Sequence, residues 1–253
     1  MKAFVEHRWG PAFAGLLLVV ALGGCLQLAV GGGLISPFVI PLPSDVLAEV
    51  PSLFTEEGLA HLFALTFGIT LLATLLSTVI GVPVGLFLFR QRDFGQAYEN
   101  WLGAIFSAPV ILLYPLFLVV MGRGLHTIVV MSVFVGVTPI ILSTYRGFLS
   151  VPPVYVRVAR SFNMSSHDTF WKVLLPAALP SIFTGIRLAL IYAMINAVAI
   201  EFLVSIGGLG FLVGDLYDRY NIPGMYAAVG FVIIASMIFF SGLEWLEKWL
   251  DPQ

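Results

Sequence analysis

Six stretches of this chain are long and apolar enough to cross a lipid bilayer as helices: residues 11–30, 62–89, 101–121, 127–145, 182–205 and 226–245. A hydrocarbon core about 30 Å thick takes roughly 20 helical residues at 1.5 Å each. Lipid offers no partner to backbone N–H and C=O groups, so each stretch is expected as a helix, which satisfies its own. No alternating pattern of the barrel type competes. The scarcity of charge agrees: 10% of the 253 residues are charged, 59% are hydrophobic and the mean hydropathy is +1.01. Soluble domains carry about 25% charged residues, enough to cover a surface that this composition leaves bare. A soluble enzyme is thereby excluded, and one cysteine excludes a disulfide scaffold. A net charge of −2 offers no basic face to nucleic acid. The expected fold is an all-α polytopic membrane protein, a single transmembrane domain over residues 1–253.

Basic residues orient the spans. Lys2, Arg8, Arg90, Arg92, Arg146, Arg157, Arg160, Lys172, Arg187 and Lys248 fall on one side and only Arg123 and Arg219 on the other, which places both termini in the cytoplasm. Leu22-Gly23-Gly24-Cys25 resembles a lipoprotein cleavage signal. The apolar run continues through Leu26 to Val30, so the segment reads as a first span with Cys25 as a small buried residue. Pro83, Pro109, Pro115 and Pro139 are expected to kink their helices. Gly68, Gly81, Gly85, Gly136, Gly185 and Gly230 are expected to let helices approach closely.

Between the fourth and fifth spans, residues 150–180 are too polar to cross the membrane and too patterned to be a flexible loop. Pro152 and Pro153 suit a first helical turn. Val154, Val158, Ala159 and Phe162 recur at helical spacing. Asn163 accepts the left-handed conformation that ends a helix. Ser165 and Asp168 have the spacing of a capping box. Two short helices joined by a tight turn are expected, with Phe162, Met164, Phe170 and Trp171 near water. Two occupants suit such a face: a protein partner, or lipid headgroups with Arg157, Arg160 and Lys172 reaching into water.

Arg157-Val-Ala-Arg-Ser-Phe-Asn163, nine residues, and Val173-Leu-Leu-Pro176 resemble the cytoplasmic loop that marks the permease subunits of bacterial ATP-binding cassette importers. Ala159, Leu175 and Pro176 match its pattern and Val173 is a close substitute. Arg157 stands where Glu is usual, and Asn163 where Gly is usual. Leu42-Pro43-Ser44-Asp45-Val46, Gly81-Val-Pro-Val-Gly85, Ala199-Ile-Glu201 and Gly207-Gly-Leu-Gly210 resemble the branch that carries nitrate, sulfonates and taurine, together with pyrimidine precursors and aromatic acids. The resemblance covers most of the chain.

It implies a permease in the bacterial inner membrane, paired with a second copy or a paralogous permease. It further implies two cytoplasmic ATP-binding subunits and an external solute-binding protein. ATP and Mg would sit on the ATPase, with no cofactor on this chain. The sequence agrees, because no glycine-rich phosphate loop precedes any lysine. By the same resemblance, residues 161–172 hold the coupling helix, and Arg157, Ala159, Asn163, Phe170, Trp171, Val173, Leu175 and Pro176 form the ATPase-coupling loop. The substrate expected is a small organic anion, such as a sulfonate, taurine, a nitrate-like ion or an aromatic acid, or else a small heterocycle.

Glu201 is the one acidic residue well inside a span. It suits either the solute pathway or a hydrogen-bonded packing role. Tyr192 and Asn196 share its helix on one face, which Ser205 continues, so Tyr192, Asn196, Glu201 and Ser205 are the candidate pathway residues. Residues 206–223 are expected outside the membrane as an outer gate or docking surface, with Asp215, Asp218 and Arg219 as solvated charges. No catalytic residue is expected, and the four histidines show no metal-ligand spacing. A self-contained secondary transporter or channel is the rival reading. It would call for more intramembrane charges or an inverted repeat.

Overall fold

The computed structural model describes residues 10–250, with the side chains of all but 10–13, 16, 106 and 243–250. Lys2, His7 and Arg8 lie outside the described residues, as does the Lys248 side chain. All regular structure among the described residues is helical. In chain order the helices are α1 (Gly10–Gly31), α2 (Pro43–Thr55), α3 (Leu59–Arg90), α4 (Arg92–Ser107), α5 (Tyr114–Met121), α6 (Leu125–Leu149), α7 (Pro153–Ser161), α8 (Ser166–Thr169), α9 (Leu175–Val204), α10 (Leu209–Asp218) and α11 (Ile222–Leu250). A 3₁₀ turn (Val110–Leu113) precedes α5, and a π-helical turn (Phe170–Leu174) joins α8 to α9.

By length and composition, α3, α6, the run through α9 and α11 are long and apolar enough to cross a membrane, four such helices among the described residues, or five if the bent pair before α6 counts as one span. The expected third span is not one straight helix. A helix containing Arg92–Ile105 and one containing Val110–Met121 meet at a 79° bend. Pro109 has no N–H to give, and it biases Ala108 away from helical geometry, so the chain turns there. The segment expected as a first span is helical as α1, but its apolar stretch among the described residues, Leu17–Gly31, is shorter than the helices that qualify by length as crossing a membrane.

Ala60–Phe211, with the described residues from Ile234 onward, forms the larger of two compact units. Here α3 reverses the pattern of a soluble helix. Thr66, Thr70, Thr74 and Ser77 are buried, while Leu71, Leu72, Leu75, Val79 and Ile80 are exposed, as lipid permits. Thr70 and Thr74 donate to backbone carbonyls four residues back, each at 2.8 Å. The inner stripe continues through Gly85, where an added Cβ would stand 2.6 Å from Thr144 Cβ and 2.8 Å from the Ile141 carbonyl. Gly185 of α9 meets Ser143 of α6 in the same way. Association in lipid depends on such close packing of small residues. Gly68 and Gly230 face open space and make no close approach. Between α3, α6 and α9 lies a buried cluster of Ile69, Ile128, Met131, Ala197, Ile200 and Val204.

The described residues up to Leu59, with Leu212–Ile233, form the smaller unit. Its α2 lies in the segment between the first two expected spans. Pro43 opens the helix and Asp45 occupies its first turn. Ser44 of α2 is held to α1 by Gln27, whose Nε2 donates to Ser44 Oγ and whose Oε1 accepts the Ser44 N–H, both at 3.1 Å. Arg219 pairs with Glu57 at 2.7 Å and Asp215 at 2.8 Å, so it is not a free solvated charge. Cys25 is exposed on α1, in contrast to the buried position expected.

Candidate functional site

Residues 150–180 fold as two short helices about a tight turn. Pro152 leads into α7, and Asn163 takes φ +52° at its end. The Met164 N–H donates to the Ala159 carbonyl at 3.1 Å and the Asn163 N–H to the Arg160 carbonyl at 2.9 Å. This pair of bonds is the Schellman closure, which needs a left-handed residue at the Asn163 position. Asn163→Gly is expected to keep the turn, whereas Asn163→Ala should cost about 1 kcal/mol for forcing a Cβ into left-handed geometry, readable as a lower melting temperature in detergent.

Ser165 caps α8. Its Oγ accepts the Asp168 N–H at 3.0 Å and donates to Asp168 Oδ2 at 2.7 Å. Lys172 pairs with Asp168 at 2.6 Å and, together with Ser165, holds the Asp168 carboxyl below the usual carboxylate range. Because that carboxyl is shifted down, the pair holds at neutral pH and is lost only on acidification through the lowered range. The π turn that follows has a cause in Pro176. It offers no N–H to the Lys172 carbonyl, and the Leu175 N–H reaches instead to Phe170.

The aromatic residues divide. Phe162 and Trp171 are exposed, at 77% and 55%. Phe170 turns inward instead of facing water, stacking on Phe148 at 5.9 Å, with the Arg90 guanidinium over its ring at 5.5 Å. It joins Leu174, Leu175 and Phe89 around the buried Phe148, Val151, Ala178 and Ile182. Ala159 is buried under α7, Met164, Val173 and Leu175 are half-buried, and Pro176 is exposed. Arg157 and Arg160 are exposed and make no ion pair among the described residues.

At the far end of α9, Glu201 is fully buried. Thr66 Oγ1 donates to its carboxylate, 2.9 Å from each oxygen, and the Gly210 N–H donates to Oε2 at 3.1 Å. Thr66 Oγ1 in turn accepts the Leu209 N–H at 2.8 Å. Gly207-Gly-Leu-Gly210 wraps this carboxylate. Gly208, at φ +95°, has no room for a Cβ, which would fall on the Glu201 carboxylate. Ser205 ends α9 in the left-handed conformation, and the Arg123 guanidinium donates to the Val204 carbonyl. Arg123 therefore caps the C-terminal end of α9.

A cavity of about 240 Å³ lies between the bend after α4, α6 and α9. Tyr192 and Asn196 line it, with Phe134, Thr138, Pro109 and Ile195 among the other walls; Glu201 and Ser205 do not. The four candidate pathway residues thus separate into a cavity pair and a pair at the end of α9. Sequence reasoning missed Thr138, Phe134 and the backbone bend. The bend had a readable signal in Pro109, and the other two had none. No group of three metal-ligating side chains occurs among the described residues.

Comparison with known proteins bears on this arrangement. The family profile described as "binding-protein-dependent transport system inner membrane component" matches residues 77–253. The formylaminopyrimidine transport permease protein ThiX of Halalkalibacterium halodurans is 27% identical over 216 residues, covering 85% of this chain and 86% of that one. The taurine transport system permease protein TauC of Escherichia coli is 27% identical over 225 residues, covering 87% and 82%. A chain of the MetNI methionine ABC transporter, from a crystal form with inward-facing conformations, has the same fold. Its TM-score is 0.66 at 21% identity over 76% of this chain and 96% of that chain. The chain belongs to the family of binding-protein-dependent transport system inner membrane components, the multi-pass permease subunits of ATP-binding cassette importers, whose partners are an ATPase and a binding protein.

Proposed function

We propose that this permease forms half of a pathway through which ATP hydrolysis on two cytoplasmic ATPase subunits drives uptake of a small solute. A second copy or a paralogous permease completes the pathway, and a solute-binding protein delivers the solute from outside. ATP and Mg are held by the ATPase. The solute is a small organic anion or a small heterocycle, the range that the formylaminopyrimidine and taurine permeases span between them.

The observation that carries this reading is the segment from α7 to the π turn. Its frame is fixed by the Asn163 turn, the Ser165 cap and the Phe170 stack, while Phe162 and Trp171 stand out into solvent. Aromatic side chains exposed on a rigid support suit a pocket on a partner. Arg157, which makes no ion pair among the described residues, offers that partner a cation where related loops offer a carboxylate.

The test is recovery of the cognate ATPase with a tagged permease. Phe162→Asp and Trp171→Asp together are expected to lower recovery at least tenfold, while the permease remains folded and monodisperse. Undiminished recovery would show that the ATPase docks elsewhere. Phe170→Asp is a poor probe of docking, because it breaks the stack beneath the surface.

A further inference from the structure

The α4–α6–α9 cavity has an uncharged lining. Among the described residues its walls are Ile105, Ala108, Pro109, Val110, Ile111, Val135, Ile195 and Ala199, with Phe134 as the one phenyl ring and Thr138, Tyr192 and Asn196 as the polar groups. Asn196 is 7% exposed, and its Nδ2 donates to Ser132 Oγ at 3.2 Å. That bond fixes the amide. Its Oδ1 takes no hydrogen bond from the described residues, so an acceptor and the second N–H of a buried side chain remain for the cavity. Counting 1.5 Å per residue, Asn196 lies about 12 Å inside the end of α9 at Val204.

Two physical constraints follow. A full charge entering here would gain no counter-charge from this lining, and burying an unpaired ion is far more costly than burying a polar neutral group. An apolar pocket with a few convergent hydrogen-bonding groups is the usual form of a site for a small organic molecule. Size agrees, since a cavity of about 150 Å³ accommodates benzene, and 240 Å³ leaves room for a substituted ring.

We infer that this cavity is a selective station on the pathway for an uncharged, planar nitrogen heterocycle. Phe134 offers an aromatic wall, and the Asn196 amide reads the hydrogen-bonding edge of the ring. An amide presents one donor and one acceptor together, the pattern that matches a ring nitrogen beside an exocyclic amino group. This rests on the importer reading and narrows it: sulfonates and inorganic oxyanions are excluded from the station.

The test uses the purified permease–ATPase complex in lipid nanodiscs, without binding protein, and equilibrium binding of radiolabelled formylaminopyrimidine, taurine and nitrate. Formylaminopyrimidine is expected to bind and to resist competition by taurine, a zwitterion, and by nitrate, an anion. Asn196→Leu and Thr138→Val are each expected to weaken its binding at least tenfold with ATPase recovery unchanged. Failure of the heterocycle to bind, equal binding of taurine or nitrate, or unaltered binding by both variants would overturn the inference. Loss of ATPase from the unmodified complex would overturn the importer reading instead, which separates the two.

Discussion

Glu201→Ala is expected to destabilise the permease by about 3 kcal/mol or more and to abolish uptake. The carboxylate accepts from the Thr66 hydroxyl and the Gly210 N–H in a site with no exposure. Removing it leaves the buried Gly210 N–H unsatisfied, at roughly 1–3 kcal/mol, leaves the Thr66 hydroxyl only the Leu62 carbonyl at 3.2 Å, and opens a void. Gly207-Gly-Leu-Gly210 follows the shape of that carboxylate, so the start of α10 loses its anchor to α3 and α9 together. Glu201→Gln, which keeps one oxygen, should fall between the two. Thermal unfolding in detergent, read beside uptake, checks the order. Identical melting of the native protein and Glu201→Ala would refute a structural role for this carboxylate.

Gly185→Leu should be nearly as severe, costing about 3 kcal/mol, near the upper end for overpacking. A Cβ at this position would stand 2.6 Å from Ser143 Cβ and 3.1 Å from the Pro139 carbonyl. The carbonyl belongs to α6, so relief requires the two helices to separate, and small-residue contacts are what hold helices together in lipid. Size-exclusion chromatography should show aggregated protein in place of a single species. Gly230→Leu is the matched control, since nothing lies within 4 Å of its added Cβ. If the two variants behave alike, the packing argument fails.

The apolar stretches were readable because a spanning helix is written in local composition. The turn at Asn163 and the cap at Ser165 were readable because each depends on a few consecutive residues. Other features depended on distant partners. Glu201 stood out as an intramembrane carboxylate, but Thr66 lies 135 residues away and nothing local names it. Phe170 and Trp171 are neighbours of the same chemical kind. Only the position of Phe148 decides that the first is covered and the second is not. The helix α2 carried a local signal in Pro43 and Asp45, but at 13 residues it is too short to stand among the apolar stretches. At Pro109 composition suggested a kink, whereas the chain makes a full change of direction, and the walls of the cavity depend on it.

The π turn at Phe170–Leu174 is followed without interruption by α9. Trp171 and Asn196 therefore lie on one unbroken helical rod, 25 residues and roughly 37 Å apart. A push or twist applied at the indole has no hinge loop in which to dissipate before it reaches the amide. The wider turn absorbs the geometric misfit of Pro176, so the rod keeps its mechanical continuity across a residue that would otherwise break it.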